Sequence, residues 1–60
     1  MTTFKNGTKE VNIVTDNGFN TPIFRCFYVQ LYNGEYQVLD SKDYTTFKRA
    51  EKWAVNQLKK

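Results

Sequence analysis

The sequence contains no histidine, only one cysteine and only one proline among its 60 residues. Without histidine, the chain lacks the side chain whose ordinary pKa suits a general base at neutral pH. The single cysteine, Cys26, excludes a disulfide within the chain. One thiol without histidine also cannot supply the usual ligand set of a zinc site. We therefore expect no enzymatic activity, no metal and no cofactor.

Long apolar runs are also missing. The most apolar stretch, from Ile23 to Tyr32, contains Arg25 and Gln30 and is too short to span a bilayer. No apolar segment typical of a secretory signal follows Met1, and a lone cysteine fits a reducing compartment. These features predict a cytoplasmic protein without a membrane partner.

Alternation of apolar and polar residues predicts an antiparallel sheet within residues 10–39. Residues 1–9 are expected either to add a short edge strand or to fray. The sequence Asn-Gly suits the two central positions of a type I′ hairpin turn, because both positions need a positive φ. It occurs three times, at Asn6-Gly7, Asn17-Gly18 and Asn33-Gly34.

The hairpin around Asn33-Gly34 has the most definite register, with Tyr32 opposite Glu35 and Val29 opposite Val38. One of its faces carries Phe27, Val29, Leu31, Tyr36 and Val38. We predict that this face is the core. The other face carries Phe24, Cys26, Tyr28, Gln30, Tyr32, Glu35, Gln37 and Leu39. A turn is expected over residues 40–43.

The C-terminal segment, residues 46–59, has the pattern of an amphipathic helix. Thr45 or Thr46 can act as its N-cap, because a threonine hydroxyl accepts a hydrogen bond from a free backbone N–H. One helix side, expected to face the sheet, carries Phe47, Ala50, Ala54 and Leu58, with Trp53 and Val55 flanking them. The chain thus reads as one α+β domain over residues 1–60. It comprises a small antiparallel sheet of three to four strands with one C-terminal helix packed on one face.

A single helix can cover only one face of the sheet, which leaves an aromatic row on the other. Phe24, Tyr28 and Tyr32 line up along one strand, with Gln30 and Gln37 beside them. An exposed row of aromatic and amide side chains is typical of an interface. We therefore predict a small protein-binding module that uses these five residues. The alternatives are a homodimer that buries the same face, stacking of single-stranded bases on it, and an N-terminal segment that folds over it.

The basic residues are concentrated at the C-terminus. Residues 48–60 hold five basic residues and one acidic residue, a net charge of +4, whereas residues 1–47 hold four basic and five acidic residues, a net charge of −1. The far side of the predicted helix carries Lys48, Arg49, Lys52, Asn56, Lys59 and Lys60. A stripe of this kind suits nucleic-acid phosphates. Nucleic-acid binding through Lys48, Arg49, Lys52, Asn56 and Lys59 is therefore the alternative function.

The segment Tyr44–Ala54 has an aromatic residue, a short polar stretch and an alanine-rich helix with a late tryptophan, Trp53. With the preceding strands, it resembles the small three-stranded-sheet-plus-helix DNA-binding domains of phage-type tyrosine integrases. Plant ethylene-response-factor domains share that architecture. The resemblance covers residues 23–59 and implies that an outward sheet face reads the major groove with arginine and lysine. Alternation here assigns Arg25 to the core face, so the resemblance supports the fold more than the function. The chain also resembles short phage accessory proteins in size, which implies a modulator of a host protein.

Overall fold

The computed structural model describes residues 1–18 and 20–59; Lys60, the last of the basic C-terminal residues, lies outside them. Four strands are followed by one helix: β1 (Thr2–Asn6), β2 (Lys9–Asp16), β3 (Ile23–Tyr32), β4 (Glu35–Tyr44) and α1 (Phe47–Leu58). The strands lie in the sheet in chain order, and each neighbouring pair is antiparallel. The predicted α+β class, a small antiparallel sheet with a C-terminal helix on one face, is therefore confirmed.

The turn between β3 and β4 has the geometry that its sequence predicts. Asn33 and Gly34 both adopt positive φ angles, 53° and 81°, as a type I′ turn requires at its two central positions. The predicted register is confirmed as well, because Tyr32 pairs with Glu35 and Val29 with Val38.

The other two Asn-Gly pairs do not form the expected turn. Asn6 pairs with Lys9, so the central residues of the first hairpin are Gly7 and Thr8, and Gly7 supplies the positive φ of 64°. This register places Phe4 opposite Val11, which puts both apolar side chains on the same face. β2 ends at Asp16 and β3 begins only at Ile23, and just after β2 the Gly18 N–H donates to Asp16 Oδ1 at 2.9 Å.

The strand β4 continues through residues 40–43, where the sequence predicted a turn. Ser41, Lys42 and Asp43 pair with residues of the long β3, and this ladder overrides the turn preference of aspartate and serine. A bulge makes the continuation fit. Tyr28 pairs with Asp40 and Val29 with Val38, so Leu39 is the extra residue. The bulge therefore reverses the alternation of faces along β4.

The helix α1 begins after Thr46, whose hydroxyl accepts a hydrogen bond from the Arg49 N–H at 3.4 Å. This is one of the two predicted N-caps. The predicted contact side is correct for Ala50 and Ala54, which are fully buried. Gln57 is also buried, although the apolar pattern does not predict it on the contact side, and Val55 is exposed.

The core lies on the opposite face of the sheet from the predicted one. Its buried residues are Val11, Ile13, Cys26, Ala50 and Ala54, and Phe4, Phe24, Tyr28, Tyr44, Trp53 and Leu58 pack around them. The prediction of the core face compared only the two faces of the β3–β4 hairpin. In the sheet, Val11 pairs with Tyr28 and Ile13 with Cys26, so the neighbouring strands add their apolar residues to the face of Cys26. The small side chains of Cys26, Ala50 and Ala54 let α1 lie close to that face.

Candidate interaction surfaces

The five residues predicted to form an open aromatic row do not form one. Phe24 and Tyr28 pack against the core under α1, and the Phe24 ring meets the Phe47 ring edge to face, with 5.7 Å between the ring centres. Gln30 is half-buried on the same face. Tyr32 and Gln37 are exposed, because they lie near the end of the hairpin. The idea of an uncovered Phe24–Tyr28–Tyr32 row is therefore wrong, since α1 covers the part of the face that holds Phe24 and Tyr28.

The face of the sheet opposite α1 carries the apolar residues that were predicted to be the core. We call it the open sheet face; its apolar residues on β3 and β4 are Phe27, Val29, Leu31, Tyr36 and Val38. Val29 is only 6% exposed although no helix covers it, whereas Tyr36 and Val38 are 56% and 61% exposed. The open sheet face thus has a shielded centre and an exposed apolar margin along β4.

Exposed apolar side chains are concentrated at this end of the molecule. Among the described residues, nine large hydrophobic side chains are exposed, and five of them lie between residues 31 and 39. These five are Leu31, Tyr32, Tyr36, Val38 and Leu39. Clustering of this kind is unusual on a surface that meets only water, where exposed apolar residues are normally scattered.

Both basic residues of the open sheet face lie close to an acidic side chain. Lys5 Nζ lies 3.9 Å from Glu10 Oε1, and Arg25 Nη2 lies 3.6 Å from Asp16 Oδ2. Asp43 pairs across the strands with Arg25, so this face has two basic and three acidic residues, a net charge of −1. Alternation along β3 predicts Arg25 on the core face. Because the core lies on the other face, Arg25 is on the open sheet face instead. The open sheet face nevertheless lacks the net positive charge that attracts phosphates.

The outer side of α1 has the opposite character. Lys48, Arg49, Lys52, Asn56 and Lys59 are all exposed, as the sequence predicted for this side of the helix. No salt bridge involves any of these four cations within residues 1–18 and 20–59. A shallow depression here is lined only by α1 and Thr46, so no second element encloses it. This side of α1 can attract an anionic surface but does not form an enclosed ligand pocket.

Cys26 has no environment that would activate it. The residue is fully buried, and burial, with a smaller effect from the negative charge of Asp43, raises the pKa of its thiol. The thiolate is the reactive form of cysteine, so the fold makes this thiol less reactive. Among the described residues, no group of three or more histidine, cysteine, aspartate or glutamate side chains is placed to hold a metal ion.

Comparison of the chain with protein-family models, with curated proteins and with solved structures finds no match. The resemblance to integrase DNA-binding domains therefore stays a prediction. Within the part of the chain that the structure describes, no helix is long and apolar enough to cross a membrane.

Proposed function

We propose that this chain is a small non-enzymatic binding module that docks on another protein through the open sheet face. The observation that carries the proposal is the concentration of exposed apolar side chains on the β3–β4 hairpin, where Leu31, Tyr36 and Val38 share one face. Tyrosine in the centre of a contact is a frequent energetic anchor, which makes Tyr36 the main candidate, with Leu31 and Val38 as the apolar surface around it. Neighbouring ion pairs such as Lys5–Glu10 would form the polar rim.

The residues proposed for docking differ from those that the sequence suggested. Tyr32 and Gln37 stay as contributors from the end of the hairpin, since both are exposed. Phe24 and Tyr28 support the core instead. The idea of a phage-encoded modulator of a host protein stays a prediction, because it comes from the size of the chain and not from any contact.

The test is recovery of a partner from extracts of the source cells, compared between two variants. Leu31→Asp places a charge in the proposed contact, while Val55→Asp places the same charge on an exposed apolar position of α1. We expect the first variant to lose a protein that the wild type and the second variant both retain. Equal recovery by all three would refute docking through the open sheet face.

Nucleic-acid binding is the second candidate, and it is favoured by the cations on the outer side of α1, which have no salt bridge to any residue that the structure describes. Here α1 would lie along phosphates, because the basic side chains form a stripe without neighbouring acids other than Glu51. The open sheet face and this side of α1 lie on opposite sides of the sheet, so one ligand could not easily contact both. The two candidates are therefore separable by experiment.

A further inference from the structure

The sheet ends in two edge strands, β1 and β4, each paired on one side only, and the second is the longer. Every residue of β4 from Glu35 to Asp43 is exposed. A long exposed edge that carries apolar side chains is a template for pairing with another chain. We propose that β4 pairs antiparallel with β4 of a second copy of this chain, so that two four-stranded sheets join into one continuous sheet.

Some backbone groups of β4 point outward, away from β3. The type I′ turn makes Tyr32 and Glu35 a hydrogen-bonded pair, and alternation then directs the backbone groups of Tyr36 and Val38 away from β3. The Leu31 N–H agrees with this pattern, because it donates to Thr8 O at 3.0 Å on the other side of β3. Beyond the bulge, the Ser41 N–H donates to the exposed side chain of Asp40, at 2.9 Å from Oδ1, so pairing would exchange this contact for one to the second copy.

The bulge at Leu39 restricts how two copies of β4 can pair. Residues directly opposite each other in a sheet project from the same face. Because the bulge reverses the alternation, Tyr36 shares the open sheet face with Ser41, and Glu35 shares the other face with Lys42. Pairing across a two-fold axis must respect these faces. In registers that pair residues before the bulge with residues beyond it, Glu35 can therefore lie opposite Asp40, Lys42 or Tyr44 of the second copy.

Charge distinguishes these three registers. Glu35 opposite Asp40 would bring together two like charges on each side of the axis, and Glu35 opposite Tyr44 would form no ion pair. Glu35 opposite Lys42 forms two symmetric ion pairs. The same register aligns Gln37 with Asp40, an amide donor with a carboxylate acceptor, and brings together the outward backbone groups of Tyr36 and Ser41. At the axis, Val38 lies opposite the bulged Leu39, so the pairing by faces holds on either side of the two bulges.

Glu35 and Lys42 are available for this pairing. No salt bridge involves either residue within the described part of the chain, in contrast to Lys5 and Arg25. Lys42 Nζ lies 5.6 Å from the centre of the Tyr44 ring, so its side chain runs along β4.

A two-fold axis perpendicular to the sheet places both α1 helices on the same side. The open sheet faces of the two copies then form one surface. The pairing would also assist a domain with a small core, whose largest fully buried side chains are only those of Ile13, Val11 and Cys26. Small domains often need a partner chain for this reason. The proposal is independent of docking through the open sheet face, since Glu35 and Lys42 project from the other face.

The experiment is sedimentation velocity of the purified chain over a range of concentrations. We expect a monomer–dimer equilibrium, with the dimer weakened roughly tenfold in Glu35→Lys and in Lys42→Glu because each change creates two like-charge contacts. The double variant Glu35→Lys with Lys42→Glu should restore the wild-type dissociation constant. Lys52→Glu, a charge reversal on the outer side of α1, is the matched control and should leave it unchanged.

Amide hydrogen exchange supplies the second measurement and confirms that each variant is folded. In the wild type, the amides of Tyr36 and Ser41 should gain protection as the dimer forms, whereas those of the outer side of α1 should not. A wild type that stays monomeric up to its solubility limit would overturn the proposal. Protection elsewhere would overturn the β4 contact, and a double variant that stays weak would overturn the register.

Discussion

Ile13 lies directly opposite Cys26 in the sheet, and both side chains are buried beneath α1. The pair joins the two central strands, which pack against α1 from the middle of the sheet. Among the described residues, Ile13 has the largest fully buried side chain.

Shortening Ile13 should therefore be costly. We expect Ile13→Ala to reduce the free energy of unfolding by about 2–5 kcal/mol, because it removes buried methyl groups and leaves a cavity. Val14→Ala, at the next position and on the open sheet face, should cost within about 0.5 kcal/mol, as surface substitutions usually do. Urea denaturation followed by circular dichroism measures both. Similar losses in the two variants would contradict the assignment of faces.

The two tyrosines Tyr28 and Tyr36 test the same assignment on the hairpin. Tyr28 packs against the core, while Tyr36 is 56% exposed on the other face. We expect Tyr28→Ala to destabilise the fold by about 3 kcal/mol, since truncation of a large aromatic in a core costs about this much. Tyr36→Ala should leave the fold intact and weaken partner recovery. If the two variants had equal thermal midpoints, Tyr28 would not be part of the core.

The local features of this chain were predictable from its sequence, and the choice of the core face was not. Asn33-Gly34 fixed its turn and register because the required φ angles depend only on these two residues. Thr46 likewise caps its helix through a contact three residues away. The face that α1 covers depends instead on which residues Val11 and Ile13 meet across the sheet. The pairing of β2 with β1 and with β3 depends on the Gly7-Thr8 turn and on the connection between Asp16 and Ile23.

The candidate site was missed for the same reason. Inverting the faces moves Phe24 and Tyr28 into the core and leaves Tyr36 and Val38 exposed. The bulge at Leu39 adds to the difference, because Asp, Ser and Lys over residues 40–43 are typical of a turn. Residues 40–43 form a strand because the long β3 offers pairing partners as far as Phe24.

Gly34 should be hard to replace, because its φ of 81° lies in a region that side chains with a Cβ rarely adopt. No atom lies within 4 Å of a Cβ built at this position, so the cost comes from the backbone alone. We expect Gly34→Ala to lower the free energy of unfolding by about 1–2 kcal/mol. Asn33→Gly is the control and should be nearly neutral, since glycine adopts a φ of 53° readily. Thermal denaturation of both variants provides the measurement, and a neutral Gly34→Ala would argue against the type I′ turn.

Binding to nucleic acid, if it occurs, should depend on the outer side of α1. We expect the affinity for short mixed-sequence DNA or RNA to fall steeply with salt, because binding of cations to phosphates releases counterions. Lys48→Gln with Lys52→Gln should reduce both the affinity and the steepness of the salt dependence. Lys5→Gln is the control, since Lys5 is paired with Glu10 on the opposite side of the sheet. Fluorescence anisotropy measures the binding, and an affinity that ignores salt would exclude this function.

The buried thiol of Cys26 should make stability depend on pH in the alkaline range. Burial raises the pKa of this thiol in the folded chain, while the unfolded chain exposes it with an ordinary pKa of about 8.5. Above that value, the unfolded state loses the proton first, so it binds fewer protons than the folded state. The free energy of unfolding therefore falls as pH rises from there towards the raised pKa.

Cys26→Ala removes this titration, so the stability of the variant should depend less steeply on pH over the same range. Parallel pH profiles for wild type and variant, measured by urea denaturation, would show that the thiol does not contribute. In the folded wild type, a thiol reagent such as a disulfide dye should react far more slowly than with an exposed cysteine, because the core under α1 must open before the reagent reaches the sulfur.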